Sequence, residues 1–284
     1  GRLGIVPHPL FDPAWYLGQC PEIADIDLDP LRHFLEQSPK ARLSPHPLFD
    51  SSWYLSQNPD VAENGVNPFL HYLISGWREG RSPHFLFKTD WYLGEYPDVA
   101  ESGIDPLRHY LVQGGLEGRS PHPLFDGAWY LREYPRIHDQ KINPLVDFVV
   151  EGAWEGRNPN PWFDTSWYLQ QYPEVLLQGI NPLRHYIQYG RQMGLNPGPA
   201  FDGAWYLREY PDVDASGINP LEHFVLRGLK EGRSPLPKSK PQARVAAQTQ
   251  MAGFDYSQLT ADTDINEQVP EHPASLSAAD LPLR

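Results

Sequence analysis

Two rows of histidine recur along this chain at one fixed interval, and histidine is the side chain best suited to proton or metal chemistry near neutral pH. His33, His71, His109, His185 and His223 each stand three residues after a Pro-Leu or Pro-Phe step and next to an aromatic, with Asp147 in the equivalent place of one copy. His8, His46, His84 and His122 form the second row, in Pro-His linkers. Two ligands of one zinc must each bring a nitrogen to about 2.1 Å. Equivalent residues on stacked helices stand roughly 8–10 Å apart. Members of one row therefore share no metal unless their side chains converge. The favoured reading is structural, each histidine capping or bonding a loop carbonyl between units; metal, catalytic and pH-sensing roles are the lesser alternatives.

A Glu-Gly-Arg turn recurs at Arg81, Arg119, Arg157 and Arg233. A row of guanidinium groups suits carboxylate or phosphate. The plainer reading, favoured by the repetition and the acidity of the chain, pairs each arginine with a helix-capping aspartate such as Asp50, Asp126 or Asp164. The first copy has Ala41-Arg42-Leu43 here and the fifth Met193-Gly194-Leu195, so the array tolerates losing the pair. A Trp-Tyr step at Trp15, Trp53, Trp91, Trp129, Trp167 and Trp205 offers flat faces for sugar rings, but large aromatics in a thin repeat are expected to pack its core. Trp77, Trp154 and Trp162 fall outside the common positions and are expected to be exposed, which makes them the candidate binding surface. Asp25, Asp27 and Asp29 with Glu36 imitate a calcium loop, but Pro30 occupies the place of the required glycine. Asp262-Thr263-Asp264 imitates a metal-binding pair without a strand around it. Nucleophile-elbow, phosphate-loop, zinc-protease and dinucleotide motifs are absent. No catalytic residue, metal ligand or cofactor is assigned.

The elements that must position these rows follow from the period. Each Trp-Tyr step comes 38 residues after the last, and Pro30, Pro68, Pro106, Pro144, Pro182 and Pro220 keep the same register without insertion or deletion. Each unit has its own start and stop signals for three short helices. Asp50 is placed to cap the first, with Phe49 stapling onto Tyr54. Pro13 suits a first helical position. Asn58-Pro59 opens the second, and Gly65 suits a left-handed cap at its end. Asn67-Pro68 opens the third and longest, which ends near Gly76. Helices this short are marginal alone in water, so units must bury Trp, Tyr, Leu and Phe against their neighbours, with the nearest-neighbour energetics of a solenoid. The expected fold is all-α, a tandem, solenoid-like array of six 38-residue units over residues 7–237, followed by a disordered acidic tail or linker at 238–284.

Composition agrees. The chain of 284 residues holds 31 Pro, 9 Trp and 15 Tyr, so its prolines punctuate short elements in an aromatic-rich chain. A net charge of −13 disfavours nucleic acid and anionic membrane surfaces. Cys20 alone excludes an internal disulfide framework, and no apolar run is long enough to span a bilayer. The start at Gly1 suggests a segment of a longer protein. Localisation is open, with the cytoplasm slightly favoured over the cell surface or secretion.

The full pattern, seen at Phe87 to Pro121 and Phe201 to Pro235, is F-D-x-x-W-Y-L-x-x-Y-P-D-V-x-x-x-G-I-x-P-L-x-H-Y-x-x-x-G-x-x-E-G-R-x-P. It resembles short helical repeats that accompany bacterial glycosyltransferases of surface-polysaccharide biosynthesis, and that also occur in large secreted surface proteins. The resemblance covers most of the chain and implies a non-catalytic scaffold or binding module. Its implied partners are a neighbouring catalytic domain or another protein, with a glycan as a further candidate ligand. It carries over no catalytic residue. Lys88 in place of the cap aspartate, Asp147 in place of histidine and Lys141 in place of glycine depart from the pattern and argue against identical ligand binding by every unit. A secreted adhesin segment and an enzyme with a site between repeats are the alternatives.

Overall fold

The computed structural model describes residues 8–21, 29–36 and 43–237. Asp25, Asp27, the Asp262–Asp264 triplet and the expected tail at 238–284 lie outside them. Among the described residues the chain is all-α, seventeen short helices in tandem joined without strands.

The second copy illustrates the unit through α3 (Ser51–Gln57), α4 (Pro59–Glu63) and α5 (Pro68–His71). Asp50 caps α3 by accepting from the Trp53 amide, and the Phe49 ring lies 5.5 Å from Tyr54, which is the expected staple. Asn67 caps α5 by accepting from the amides of Phe69 and Leu70. Gly65 takes φ 62 just after α4, and Lys141, its counterpart two units on, takes the same left-handed region at φ 55. Without glycine the cap still forms, at the steric cost a Cβ brings there.

The third piece differs from the simple long helix expected. After α5 the chain continues as a π-helical turn, Tyr72–Gly76, and the same turn recurs at Tyr110–Gly114, Phe148–Gly152 and Phe224–Gly228. In the fifth copy the corresponding helix runs as one α-helix, Pro182–Met193. The π-turn copies share a close approach at the glycine that ends the turn. A Cβ added at Gly114 would fall on the Tyr92 hydroxyl and 3.0 Å from His109 Nδ1. In the fifth copy a Cβ added at Gly190 would instead meet the Tyr186 ring, and the helix there is regular. Gly114→Ala is therefore expected to cost about 1–3 kcal/mol through overpacking. Tyr92→Phe in the same chain should recover part of it. Equal losses with and without that second change, in chemical denaturation, would refute the contact.

The connecting segments are the interior of the fold, not its rim. Pro45, His46, Pro47, Leu48 and Phe49 are all buried, as are Pro121, His122, Pro123, Leu124 and Phe125. Each linker bonds to the next through one backbone pair: the amides of Asp12, Asp50, Lys88, Asp126, Asp164 and Asp202 donate to the carbonyls of Pro45, Pro83, Pro121, Pro159, Pro197 and Pro235 at 2.8–3.1 Å. The linkers thus stack along an axis. The second helices face outward, with Asp60, Asp98 and Asp212 exposed. The chain also coils back on itself. Lys88 Nζ donates to Glu222 at 2.8 Å across 134 residues, about three and a half periods. Asp50 and Arg184, the same two places one unit earlier, approach to 3.7 Å. The array is a tight superhelix, and its contacts extend beyond the nearest-neighbour stacking expected of a simple solenoid.

Candidate functional site

The helix histidines are held by the tyrosines of the Trp-Tyr steps, not by loop carbonyls. Tyr16, Tyr54, Tyr92, Tyr168 and Tyr206 bond through their hydroxyls to Nδ1 of His33, His71, His109, His185 and His223 at 2.7–3.0 Å. Those tyrosines are completely buried. The reason is reach: the two residues sit 17 apart, on the first and third helices of one unit, and a phenol spans the gap between them. Burial holds His185 down to about 4, and lowers His109 and His223 as well.

The arginine row also finds partners different from those expected. Arg81 makes a two-pronged contact with Asp60, 2.8 Å to each oxygen, and reaches Asn58 at 3.0 Å and Glu79 at 2.6 Å. Arg119 repeats this with Asp98 and Glu117, and Arg233 with Asp212 and Glu231. These pairs close a unit on itself. The arginines of this row do not pair with the cap aspartates; Asp50, Asp126 and Asp164 accept from the amides of Trp53, Trp129 and Trp167.

The fourth copy solves the same problem with altered residues. Arg136 replaces the second-helix aspartate and Asp147 replaces the histidine. Arg157 then turns inward and grips Asp147 at 2.7 and 2.8 Å, while Tyr130 donates to the same carboxylate at 2.5 Å. Asp147 is 6% exposed, so this copy buries an Asp–Arg pair where the others have a Tyr–His bond. The joint change is visible in the sequence at two positions of one copy, and the signal would have been their coincidence.

The linker histidines serve a different bond. Nδ1 of His46, His84 and His122 accepts from the amides of Leu48, Leu86 and Leu124 at 3.0–3.2 Å, and His8 does the same with Leu10 at 3.3 Å. In the next linker Asn160 takes this place, its Oδ1 accepting from Trp162 and Phe163 and its Nδ2 donating to the Leu124 carbonyl at 2.8 Å.

The three candidate tryptophans are not the exposed surface expected. Trp77, Trp154 and Trp162 are all half-buried. The Arg78 guanidinium lies 4.1 Å over Trp77, and Trp162 packs edge-on against Phe224 at 4.8 Å. Trp162 occupies the linker place of Leu48, Leu86 and Leu124 and packs against the core while remaining half-buried. The residues missed by sequence reading are the turn-to-turn pairs Asp50–Arg184 and Lys88–Glu222. Their signal was a reversed charge at each of two repeat positions, in units three apart.

Among the described residues no group of three or more His, Cys, Asp or Glu is arranged to hold a metal ion, and no helix is long and apolar enough to cross a membrane. No family model, curated protein or solved structure matches the chain.

Proposed function

We propose that this chain is a non-catalytic helical array serving as scaffold and binding module beside a glycosyltransferase of bacterial surface-polysaccharide biosynthesis. The observation that supports this reading most is how the recurring polar side chains are used. The tyrosines and histidines bond to each other inside units, and the arginines close those units. Groups engaged in this way are unsuited to turnover, and suited to holding a fixed length and pitch. The glycosyltransferase and the glycan come from the resemblance of the repeat pattern. The test is a pull-down with the full chain as bait, read by mass spectrometry, together with a glycan array. Capture of a glycosyltransferase or binding of a defined glycan supports the reading. Silence in both removes the binding role, and turnover of a sugar nucleotide by the chain alone overturns the non-catalytic one.

A further inference from the structure

The two histidine rows differ in what protonation would do to their bonds. A hydroxyl both donates and accepts, so the Tyr92–His109 bond survives when Nδ1 gains a proton, with the phenol oxygen then accepting. The partner of a linker histidine is a backbone N–H, which only donates. A protonated ring loses that bond and sets a second donor against it.

The surroundings of the linker row sharpen this difference. His46 faces His84 along the axis and has Asp12 nearby. His84 faces His46 and Arg184, whose carboxylate neighbour is Asp50. His122 faces His84 and Lys88, whose partner is Glu222. Arg184 and Lys88 are the same cations that join one superhelical turn to another. Charge arriving on His84 or His122 therefore appears beside the cation of a turn-to-turn pair, in the buried centre of the coil.

We propose that His46, His84 and His122 form an acid-sensitive axis whose protonation releases the linker turns and extends the superhelix, while the helical units stay folded. Burial first, then the neighbouring cations and rings, holds His84 down to about 3 and His122 well below 6.5, while burial alone holds His46 down to about 4. These groups are neutral in the folded array and take up protons more readily when released. Their contribution is thus complete above pH 6.5 and is lost progressively as pH falls from there towards about 4. The closing pairs persist through that window, because Asp60, Asp98 and Asp212 are held below 3.8 by their arginines.

The protein itself supplies the control substitution, since Asn160 makes the same turn between two prolines without a titrating ring. Small-angle scattering and far-UV circular dichroism of the full chain should be followed from pH 6.5 to about 4. The expected result is a rise in radius of gyration with the helical signal kept, abolished in His46→Asn/His84→Asn/His122→Asn. Constant dimensions, a helical signal that falls together with the expansion, or the same expansion in the triple variant would each overturn the proposal. Should the triple variant lose helix at neutral pH, His84→Asn alone must blunt the expansion, and an unaltered curve is then the refuting result.

Discussion

Arg157→Ala is expected to lower the stability of the array by about 3–5 kcal/mol, because it leaves the Asp147 carboxylate buried without its cation. The Asp147 side chain is 4% exposed, and after the substitution only the Tyr130 hydroxyl remains of the contacts described above. The equivalent change Arg119→Ala should cost only about 0–1 kcal/mol, since its partner Asp98 stands 60% exposed and rehydrates freely. Adding Asp147→His to Arg157→Ala rebuilds the Tyr–His bond of the other copies and should return most of the loss. Urea denaturation of the four proteins decides the matter. Similar midpoint shifts for Arg157→Ala and Arg119→Ala, or no rescue by histidine, would show that the ion pair does not carry the load assigned to it.

Phe125→Ala should cost a comparable amount, about 3–5 kcal/mol, from lost burial and the cavity left behind. Phe125 is fully buried and packs against Tyr130 at 5.2 Å and Phe148 at 5.6 Å. Its place matters as much as its size. It belongs to a central linker, next to the Asp126 amide that bonds forward to Pro159. Weakening a middle linker uncouples the units on either side, whereas weakening a terminal one frays the end. Phe125→Ala is therefore expected to split denaturation into two transitions, and Phe11→Ala to leave one. Hydrogen exchange would locate the break, and a single unbroken transition in Phe125→Ala would argue that the turn-to-turn contacts alone hold the coil together.

Much of the unit was legible because its determinants are local. Asp50, Asn67, Pro13 and Gly65 act within one helical turn, and each has the role its residue type suggests. Partners at longer range were misjudged. The arginines reach back 21 residues to a second-helix aspartate, and nothing in a Glu-Gly-Arg turn states how far the chain has folded back. The π-turns escaped as well, since copies of equal length take either form: the fifth runs as a regular α-helix where four others make the π-turn. The exposure expected of Trp162 failed because a linker was assumed to lie on the surface, as loops usually do. Here the linkers are buried, and Trp162 in that position is half-buried against the core.

The buried linkers also bear on the evenness of the 38-residue interval. A surface loop absorbs an extra residue by bulging into water. A linker that is itself the shaft has nowhere to bulge, and one added residue would rotate every later unit about that shaft. The error would carry forward as in a screw thread cut with one false pitch, so that Lys88 would arrive out of phase with Glu222 three and a half periods away. The uniform interval is thus a tolerance imposed by the geometry of the coil, and a single-residue insertion after Pro121 should disrupt it more than the same insertion in an outer helix turn.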